Sequence, residues 1–193
     1  MKRICVFCGS SLGARTEYSE AAITLGGLLA RRNIGLIYGG GNVGLMGVIA
    51  NAVLDAGGQV IGVIPHSLAQ REIEHRGLTE LHVVDSMHTR KAMMADLADA
   101  FIAMPGGVGT FEELFEAITW TQLGLHRKPC GLLNVAGFYT PLAAFIDQAV
   151  TEGFIKPVHR ESIIVDDDAE RLLDTLAAVK LPDVPKWIRP EEA

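Results

Sequence analysis

Residues 100–118 read AFIAMPGGVGTFEELFEAI, and this stretch decides the fold. Residues 100–104 form a short apolar run closed by Pro105, which is typical of a buried β-strand. Beyond the glycines, apolar residues recur at helical spacing and predict one core-facing stripe made of Phe111, Leu114, Phe115 and Ile118. The stretch therefore predicts a strand, a glycine-rich turn and an amphipathic helix in succession.

The same succession recurs along the chain. Apolar runs, most of them followed by helix-length segments, predict seven strands near residues 3–8, 35–38, 59–64, 81–84, 100–104, 130–133 and 162–165. These runs are continuously apolar rather than alternating, so parallel strands covered on both faces are expected. We predict an α/β fold of the doubly wound, Rossmann-like class, with a mainly parallel sheet and helices on both faces.

Length and composition predict one domain, since the chain has 193 residues of which 49% are hydrophobic. We expect this single domain to occupy residues 1–180 and the proline-containing residues 181–193 to be a C-terminal extension. A later helix is expected to bury a second stripe, made of Leu142, Phe145, Ile146, Ala149 and Val150.

Charge and cysteine content exclude several classes of protein. The net charge of −6 argues against the broad basic surface of a protein that binds long nucleic acid. Three cysteines, an odd number, favour free thiols and a cytoplasmic location, and Cys5 and Cys8 are expected to be core thiols on opposite faces of a strand. The apolar run after Arg3 is too short for a signal peptide or a membrane span, and no histidine spacing predicts a metal site.

Small residues follow the first two predicted strands, where a doubly wound sheet binds its ligands. Ser10 lies in the first cluster, and the second contains three consecutive glycines, Gly39, Gly40 and Gly41, whose entropic cost predicts a close approach to the backbone. The spacing G-x-G-x-x-G is present up to Gly44. It lacks the acidic residue about 20 positions further on, so no dinucleotide cofactor is predicted.

The third cluster is the turn inside the opening stretch. Its glycine amides and the amino end of the following helix predict a binding site for one phosphate, and the absence of G-K-[ST] argues against a triphosphate loop. Thr110 and Glu113 have two interpretations. They fit the site, but their T-x-x-E spacing is also that of a capping box, in which Glu113 would only cap the helix.

These motifs resemble those of the LOG (Lonely Guy) family, the cytokinin riboside 5'-monophosphate phosphoribohydrolases. The family signature P-G-G-x-G-T-x-x-E matches residues 105–113 without a gap, and the segment M-H-x-R-K matches residues 87–91. GGGNVGLMG from Gly39 and ITWTQLGLHRKPCGLLN from Ile118 are also similar to the family, so the resemblance covers roughly residues 3–165.

The resemblance implies an N-glycosyl hydrolase and a homodimer, with no cofactor. The expected reaction cleaves an N6-modified adenosine 5'-monophosphate, a small nucleoside 5'-monophosphate, into free base and ribose 5-phosphate. By position, Arg90 and Glu113 are the catalytic pair. The helix around Trp120, Leu123 and Leu125 is a candidate wall for the N6 substituent, but these residues suit the core or an interface equally well. The expected substrate contacts are Glu72, Arg90, Lys91, Gly107, Val108, Gly109, Thr110, Glu113 and Thr119, joined by Gly40, Gly41 and Ser10 from the first two clusters.

The chemistry of the reaction suits this pair. Cleavage of a ribosyl bond builds positive charge on the sugar, and a carboxylate near the anomeric carbon stabilises that charge and can activate water. We assign this role to Glu113 and expect Arg90 to hold it in register with the substrate.

Two other functions remain open at this point. A carrier or sensor would bind a nucleotide at the same turns without turnover. A lysine decarboxylase would need a lysine that binds pyridoxal phosphate, for which Lys91 is the candidate. The sequence also leaves open whether the substrate is prenylated AMP or AMP itself.

Overall fold

The computed structural model describes residues 1–69, 75 and 77–181. Within this part of the chain, seven strands form one sheet in the order β4-β3-β2-β1-β5-β6-β7, and every neighbouring pair is parallel. The strands are β1 (Arg3–Phe7), β2 (Gly35–Tyr38), β3 (Val60–Pro65), β4 (Glu80–Val84), β5 (Ala100–Ala103), β6 (Cys130–Leu133) and β7 (Ile163–Asp166). Each predicted strand is confirmed, with its ends within one residue of the prediction.

Helices cover both faces of the sheet, as a doubly wound fold requires. They are α1 (Thr16–Arg31), α2 (Gly44–Asp55), α3 (His66–Ala69), α4 (Met87–Leu97), α5 (Val108–Leu123), α6 (Thr140–Thr151), α7 (Pro157–Arg160) and α8 (Ala169–Ala178), with a 3₁₀ turn at Val135–Gly137. Buried residues of α1, α2 and α8 form one core cluster, and those of α4, α5 and α6 form another. Along β1 and the residue that follows it, alternate side chains enter the two clusters, Cys8 the first and Cys5 the second. The Rossmann-like fold class is therefore confirmed.

The strand order places a crevice beside β1. The chain steps outward from β1 to β4 and then crosses back to β5 on the other side of β1. Ligands of open α/β sheets bind outside the carboxyl ends of the strands at this reversal. The loops after β1 and β5 flank the crevice, and these loops carry the first and third small-residue clusters.

Two residues predicted to lie in the core are exposed. Leu114 and Ile118 of α5 are buried as predicted, but Phe115 is 39% exposed, and on α6 Ile146 is buried while Phe145 is 66% exposed. One residue turns an α-helix by about 100°, so a residue adjacent to a buried position points well away from the core. Both stripes are therefore narrower than predicted.

The predictions for the cysteines agree with the structure. Cys5, Cys8 and Cys130 are free and buried, and burial raises the pKa of each thiol. No helix in the described residues has the length and apolar character needed to span a membrane.

Candidate active site

The loops after β1, β2 and β5 pack together into one floor at the carboxyl edge of the sheet. The N–H of Gly9 donates to the carbonyl of Pro105 at 3.0 Å, and the N–H of Leu45 donates to the carbonyl of Gly9 at 3.0 Å. Gly44 has a φ of +56°, and a β-carbon there would overlap the backbone of Ser10 and Ser11. Glycine is therefore required at this position both by conformation and by space.

A cleft of about 280 Å³ opens above this floor, close to the lower limit of small-molecule sites. It brings together many of the predicted site residues: Ser10, Arg90, Gly107, Val108, Gly109, Thr110 and Glu113. Five other residues line the cleft but were not predicted as site residues from the sequence: Cys8, Met46, Leu68, Met87 and Glu112. Three of these, Met46, Met87 and Glu112, lie inside the segments that resemble the LOG family, which is the signal that could have found them.

The amino end of α5 faces the cleft with open backbone. The helix begins at Val108 after Gly107, which takes an extended conformation and provides no side-chain cap. The first N–H groups of a helix have no acceptor within it, and they carry the positive end of the helix dipole. A β-carbon added to Gly107 or Gly109 would meet nothing within 4 Å, so the turn is accessible to an anion.

The capping-box interpretation of Thr110 and Glu113 is wrong. The N-cap is Gly107, which makes Thr110 the third residue of α5, and Thr110 is buried. The Glu113 carboxylate does not turn back to the start of its own helix but accepts a hydrogen bond from Arg90. Glu113 therefore lines the cleft with its carboxylate held by Arg90.

Arg90 and Glu113 form a buried ion pair that joins α4 to α5. The Nη1 of Arg90 donates to Oε1 of Glu113 at 2.7 Å, and its Nε donates to the carbonyl of Val63 at 3.0 Å. Arg90 is only 8% exposed. Burial raises the pKa of the Glu113 carboxyl above its ordinary value, while the charge and hydrogen bond of Arg90 oppose that rise.

Two of the three consecutive glycines make close contacts within the protein. A β-carbon at Gly39 would collide with Nη2 of Arg90, so this glycine makes room for the guanidinium. Gly40 has a φ of +78° and packs against Ile64. Gly40 and Gly41 are both buried and are not among the described residues that line the cleft.

Two other predicted contacts, Lys91 and Thr119, do not line this cleft, and a third, Glu72, is not described. The Nζ of Lys91 donates to Oε1 of Glu112 at 2.6 Å and to Oε1 of Glu116 at 3.0 Å, and Lys91 does not line the cleft of the described chain. Thr119 is exposed further along α5, where its hydroxyl donates to the carbonyl of Phe115 at 2.7 Å. Glu72 lies outside the described residues.

The predicted wall for an N6 substituent belongs to a second hollow. Trp120 and Leu125 line an open hollow of about 510 Å³ between α4 and the end of α5, together with His126 and Lys128. Leu123 is partly buried and is not among the lining residues of that hollow. Among the described residues, no group of three or more His, Cys, Asp or Glu side chains is placed to hold a metal ion.

Comparison with known proteins identifies the family. The chain is 57% identical to the cytokinin riboside 5'-monophosphate phosphoribohydrolase LOG2 of Arabidopsis thaliana over 175 residues, which cover 91% of this chain and 82% of that protein. It is 54% identical to the cytokinin riboside 5'-monophosphate phosphoribohydrolase of Rhodococcoides fascians over 182 residues, 94% of this chain and 90% of that protein. The chain belongs to the LOG family. A family model described as "Possible lysine decarboxylase" also matches residues 46–176 of this LOG-family chain.

Solved structures share the LOG-family fold at low identity. The molybdenum cofactor carrier protein of Chlamydomonas reinhardtii superposes with a TM-score of 0.69 at 20% identity, covering 92% of this chain and 98% of that one. The molybdenum cofactor binding protein of Rippkaea orientalis gives a TM-score of 0.68 at 21% identity, covering 92% of this chain and 97% of that one. At this level of identity the likeness shows the fold alone.

Proposed function

We propose that this LOG-family protein hydrolyses the N-glycosidic bond of adenosine 5'-monophosphate or its N6-modified derivatives, releasing the free base and ribose 5-phosphate. The observation that carries the proposal is the buried Arg90–Glu113 pair in a cleft whose floor is an anion-accepting glycine turn. The relatives named for this reaction, which are 54–57% identical over nine tenths of the chain, support the same assignment.

In the proposed reaction, the glycine turn before α5 binds the phosphate and Glu113 acts on the sugar. The 5'-phosphate is held by the N–H groups of residues 107–110 at the amino end of α5, with the Ser10 hydroxyl on the opposite wall. As the bond between the ribose and the base nitrogen breaks, the ionised Glu113 stabilises the positive charge that develops on the sugar. Water adds to the anomeric carbon and Glu113 accepts its proton, while the departing base takes up a proton from solvent. Glu113 then releases its proton to solvent, which restores the carboxylate.

Arg90 sets the position of that carboxylate. Its guanidinium donates to the carbonyl of Val63 on β3 and packs against Gly39. Arg90 therefore holds Glu113 from a strand of the sheet rather than from a loop. Its charge also favours the ionised form of a carboxylate that burial would otherwise neutralise. We propose that Arg90 and Glu113 act as one catalytic unit.

The other proposed substrate contacts lie in several places along the chain. Ser10 and residues 107–110 line the cleft directly. Gly40 and Gly41 are buried, and we propose that they contribute through the backbone of the turn after β2. Thr119 is exposed on α5 and does not line the cleft of the described residues, so we propose that it contacts substrate in an assembly of two chains. The part of Glu72 stays a proposal from the family motif.

The direct test is a turnover assay on purified protein. AMP and N6-isopentenyl-AMP are incubated separately with the protein, and base and ribose 5-phosphate are separated and quantified. We expect equimolar release of both products, and the ratio of the two rates identifies the preferred substrate. Intact AMP and intact prenylated nucleotide after long incubation would show that the proposal is wrong.

A Glu113→Gln variant separates the hydrolase from a nucleotide carrier. The amide preserves shape but removes the charge, so we expect kcat to fall by about 10²-fold or more while nucleotide affinity changes little. A carrier would keep its nucleotide affinity in this variant, and neither it nor the natural protein would show turnover.

The decarboxylase description of the family model is less well supported, because the Lys91 ammonium is hydrogen-bonded to two carboxylates. Burial alone would lower the pKa of Lys91, but those carboxylates raise it, which disfavours the neutral amine that a Schiff base needs.

We also propose a homodimer acting in the cytoplasm, with residues 1–180 as one domain and residues 181–193 as an extension. The free, buried thiols support the cytoplasmic location, because they are consistent with a reducing compartment. The domain boundary is supported by α8, whose Leu172, Leu173 and Leu176 belong to the first core cluster. Cell fractionation tests the location. A variant truncated after Lys180 tests the boundary, since it should unfold at the same denaturant concentration as the full chain.

A further inference from the structure

A tyrosine from another loop of the sheet holds the backbone just before the glycine turn that precedes α5. The Tyr139 hydroxyl donates to the carbonyl of Met104 at 2.7 Å, and both residues are buried. Met104 follows the end of β5 and leads into the turn at residues 105–107. Tyr139 comes from the loop after β6, so this hydrogen bond joins two loops at the carboxyl edge of the sheet.

The hydrogen-bond ladder of the sheet leaves this carbonyl to Tyr139. Between the parallel strands β1 and β5, the N–H of Met104 donates to the carbonyl of Phe7 at 2.9 Å. A regular parallel ladder would continue with the N–H of Gly9 donating to the carbonyl of Met104. The N–H of Gly9 donates instead to the carbonyl of Pro105 at 3.0 Å, where the chain turns away from the sheet. The tyrosine hydroxyl therefore replaces the missing ladder donor, without which a buried carbonyl would be costly.

The ring of Tyr139 supports the other end of the turn. It packs edge-on against Phe111, in the first turn of α5, with the ring centroids 6.5 Å apart. Phe138 stacks on the same ring of Phe111 at 6.4 Å, and such aromatic pairs are stabilising beyond the area that they bury. Tyr139 thus contacts the chain both before and after residues 105–110, whose N–H groups include those that are proposed to bind the phosphate.

The loop that carries Tyr139 is itself held in one conformation. The side-chain oxygen of Asn134 accepts the N–H of Tyr139 at 2.7 Å, and the side-chain nitrogen of Asn134 donates to Oγ1 of Thr140 at 3.0 Å. Between these contacts, Ala136 has a φ of +50°, a left-handed conformation that is costly for a residue other than glycine. Strained backbone of this kind persists only where its surroundings determine it. The position of Tyr139 is therefore well defined.

We propose that Tyr139 is a positioning residue for the phosphate site. By holding Met104 and Phe111, it fixes the direction in which the N–H groups at the start of α5 point, and hydrogen bonds weaken steeply when a donor turns away from its acceptor. Tyr139 does not line the cleft of the described residues, so it acts through the turn rather than on the substrate. The inference rests on the proposed function, because it takes the anion at this turn to be the phosphate of a nucleoside 5'-monophosphate.

A pair of tyrosine variants tests the proposal by direct binding. Tyr139→Phe removes the hydroxyl and keeps the ring. Tyr38→Phe is the matched control, because Tyr38 is also fully buried at the end of a strand but its hydroxyl has no hydrogen-bond partner among the described residues. The affinities of AMP and adenosine are measured by calorimetry in protein that also carries Glu113→Gln, which slows hydrolysis during the titration.

The expected signature is a loss that is specific for the phosphate. In Tyr139→Phe the affinity for AMP should fall by about fivefold or more, while the affinity for adenosine, which has no phosphate, stays the same. Tyr38→Phe should leave both affinities in place. With Glu113 intact, Tyr139→Phe should raise KM for AMP by the same factor and keep kcat within about twofold, because the Arg90–Glu113 pair is untouched.

A second variant reaches the same contact from the loop. Asn134→Leu removes the acceptor for the N–H of Tyr139 but leaves the hydroxyl in the protein. We expect the same selective loss of AMP affinity. Combined with Tyr139→Phe it should add little, since both changes act through one contact.

The contrary outcomes are defined by the same affinities. The proposal is wrong if Tyr139→Phe leaves the affinity for AMP in place, or if AMP and adenosine lose affinity equally, because general loosening does not single out the phosphate. If Tyr139→Phe does not fold, Asn134→Leu is judged by the same two criteria. If the natural protein hydrolyses neither AMP nor N6-isopentenyl-AMP, the proposed function fails, while the binding measurements still decide the role of Tyr139.

Discussion

The guanidinium of Arg90 joins three segments of the protein beside the cleft. Nε binds a strand carbonyl, Nη1 binds Glu113, and Nη2 occupies the space that Gly39 leaves free. A buried charge without its partner is destabilising by roughly 3–5 kcal/mol, so neither member of this pair is replaceable without a cost to the site. This explains why a glycine, an arginine and a glutamate from three separate segments act together.

The pH dependence of the reaction should report Glu113. The carboxylate must be ionised to stabilise the cationic sugar, so kcat/KM should fall as the pH falls through a pKa that burial raises above 4.5. Replacing Arg90 with Gln removes the charge that lowers this pKa, and the acidic limb should move to higher pH. Rates measured between pH 4 and 9 for both proteins check this. An acidic limb that lies below pH 4.5, or that stays in place in the variant, would contradict it.

At the scale of secondary-structure elements, the site is made by loops that approach one another closely. The turn before α2 touches the loop after β1 at Gly44, and the turn before α5 contacts the same loop at Gly106. These contacts bring the beginnings of two helices to one edge of the sheet. The loops can approach this closely because the glycines have no β-carbon. The glycine-rich sequence indicates that such contacts occur, but not which backbone atoms meet.

The contact at Gly44 can be isolated by a matched pair of variants. Gly44→Ala combines a positive φ with a collision against the Ser10–Ser11 backbone, whereas Gly57→Ala has a φ of +76° and nothing within 4 Å. We expect Gly57→Ala to lower the free energy of unfolding by about 1–2 kcal/mol through backbone strain alone. Gly44→Ala should cost clearly more in urea denaturation. Equal losses in the two variants would show that the loops are not in close contact.

The phosphate cradle can be tested at the first turn of α5. Gly109→Ala places a methyl group in open space within a helix, so stability should stay the same or rise by up to about 1 kcal/mol. At the phosphate site that we propose for this turn, the methyl group would crowd the phosphate, so we expect KM for AMP to rise about tenfold or more. Inhibition by adenosine, which has no phosphate, is the control. If adenosine and AMP lose affinity equally, the phosphate does not bind at this turn.

At the scale of the whole molecule, the exposed side of α5 needs an explanation. Phe115 is partly exposed and Thr119 lies on the surface beyond the cleft of its own chain. A second copy of the chain seated on this face would cover Phe115 and bring Thr119 toward a partner's cleft. This face of α5 is the surface that we propose for the homodimer.

Light scattering coupled to gel filtration tests this assembly. We expect a mass twice the 20.7 kDa of one chain, and we expect Phe115→Asp to reduce it to that of the monomer because a charge would be buried in the interface. Phe145→Asp on α6 is the control, since Phe145 is more exposed but far along the chain from the site. Dissociation by the α6 variant instead would place the interface on the other helix.

The sequence by itself determined the parallel sheet, the strand ends and the glycine turn before α5, because apolar periodicity and turn chemistry are local properties. It also carried the motifs that relate the chain to its family. Only the tertiary structure decided that Glu113 pairs with Arg90 rather than capping its helix, that Gly39 makes room for that arginine, and that Lys91 binds Glu112 and Glu116. These contacts join residues far apart in the chain, and they exist because the strand order brings α4, α5 and three loops to one edge of the sheet.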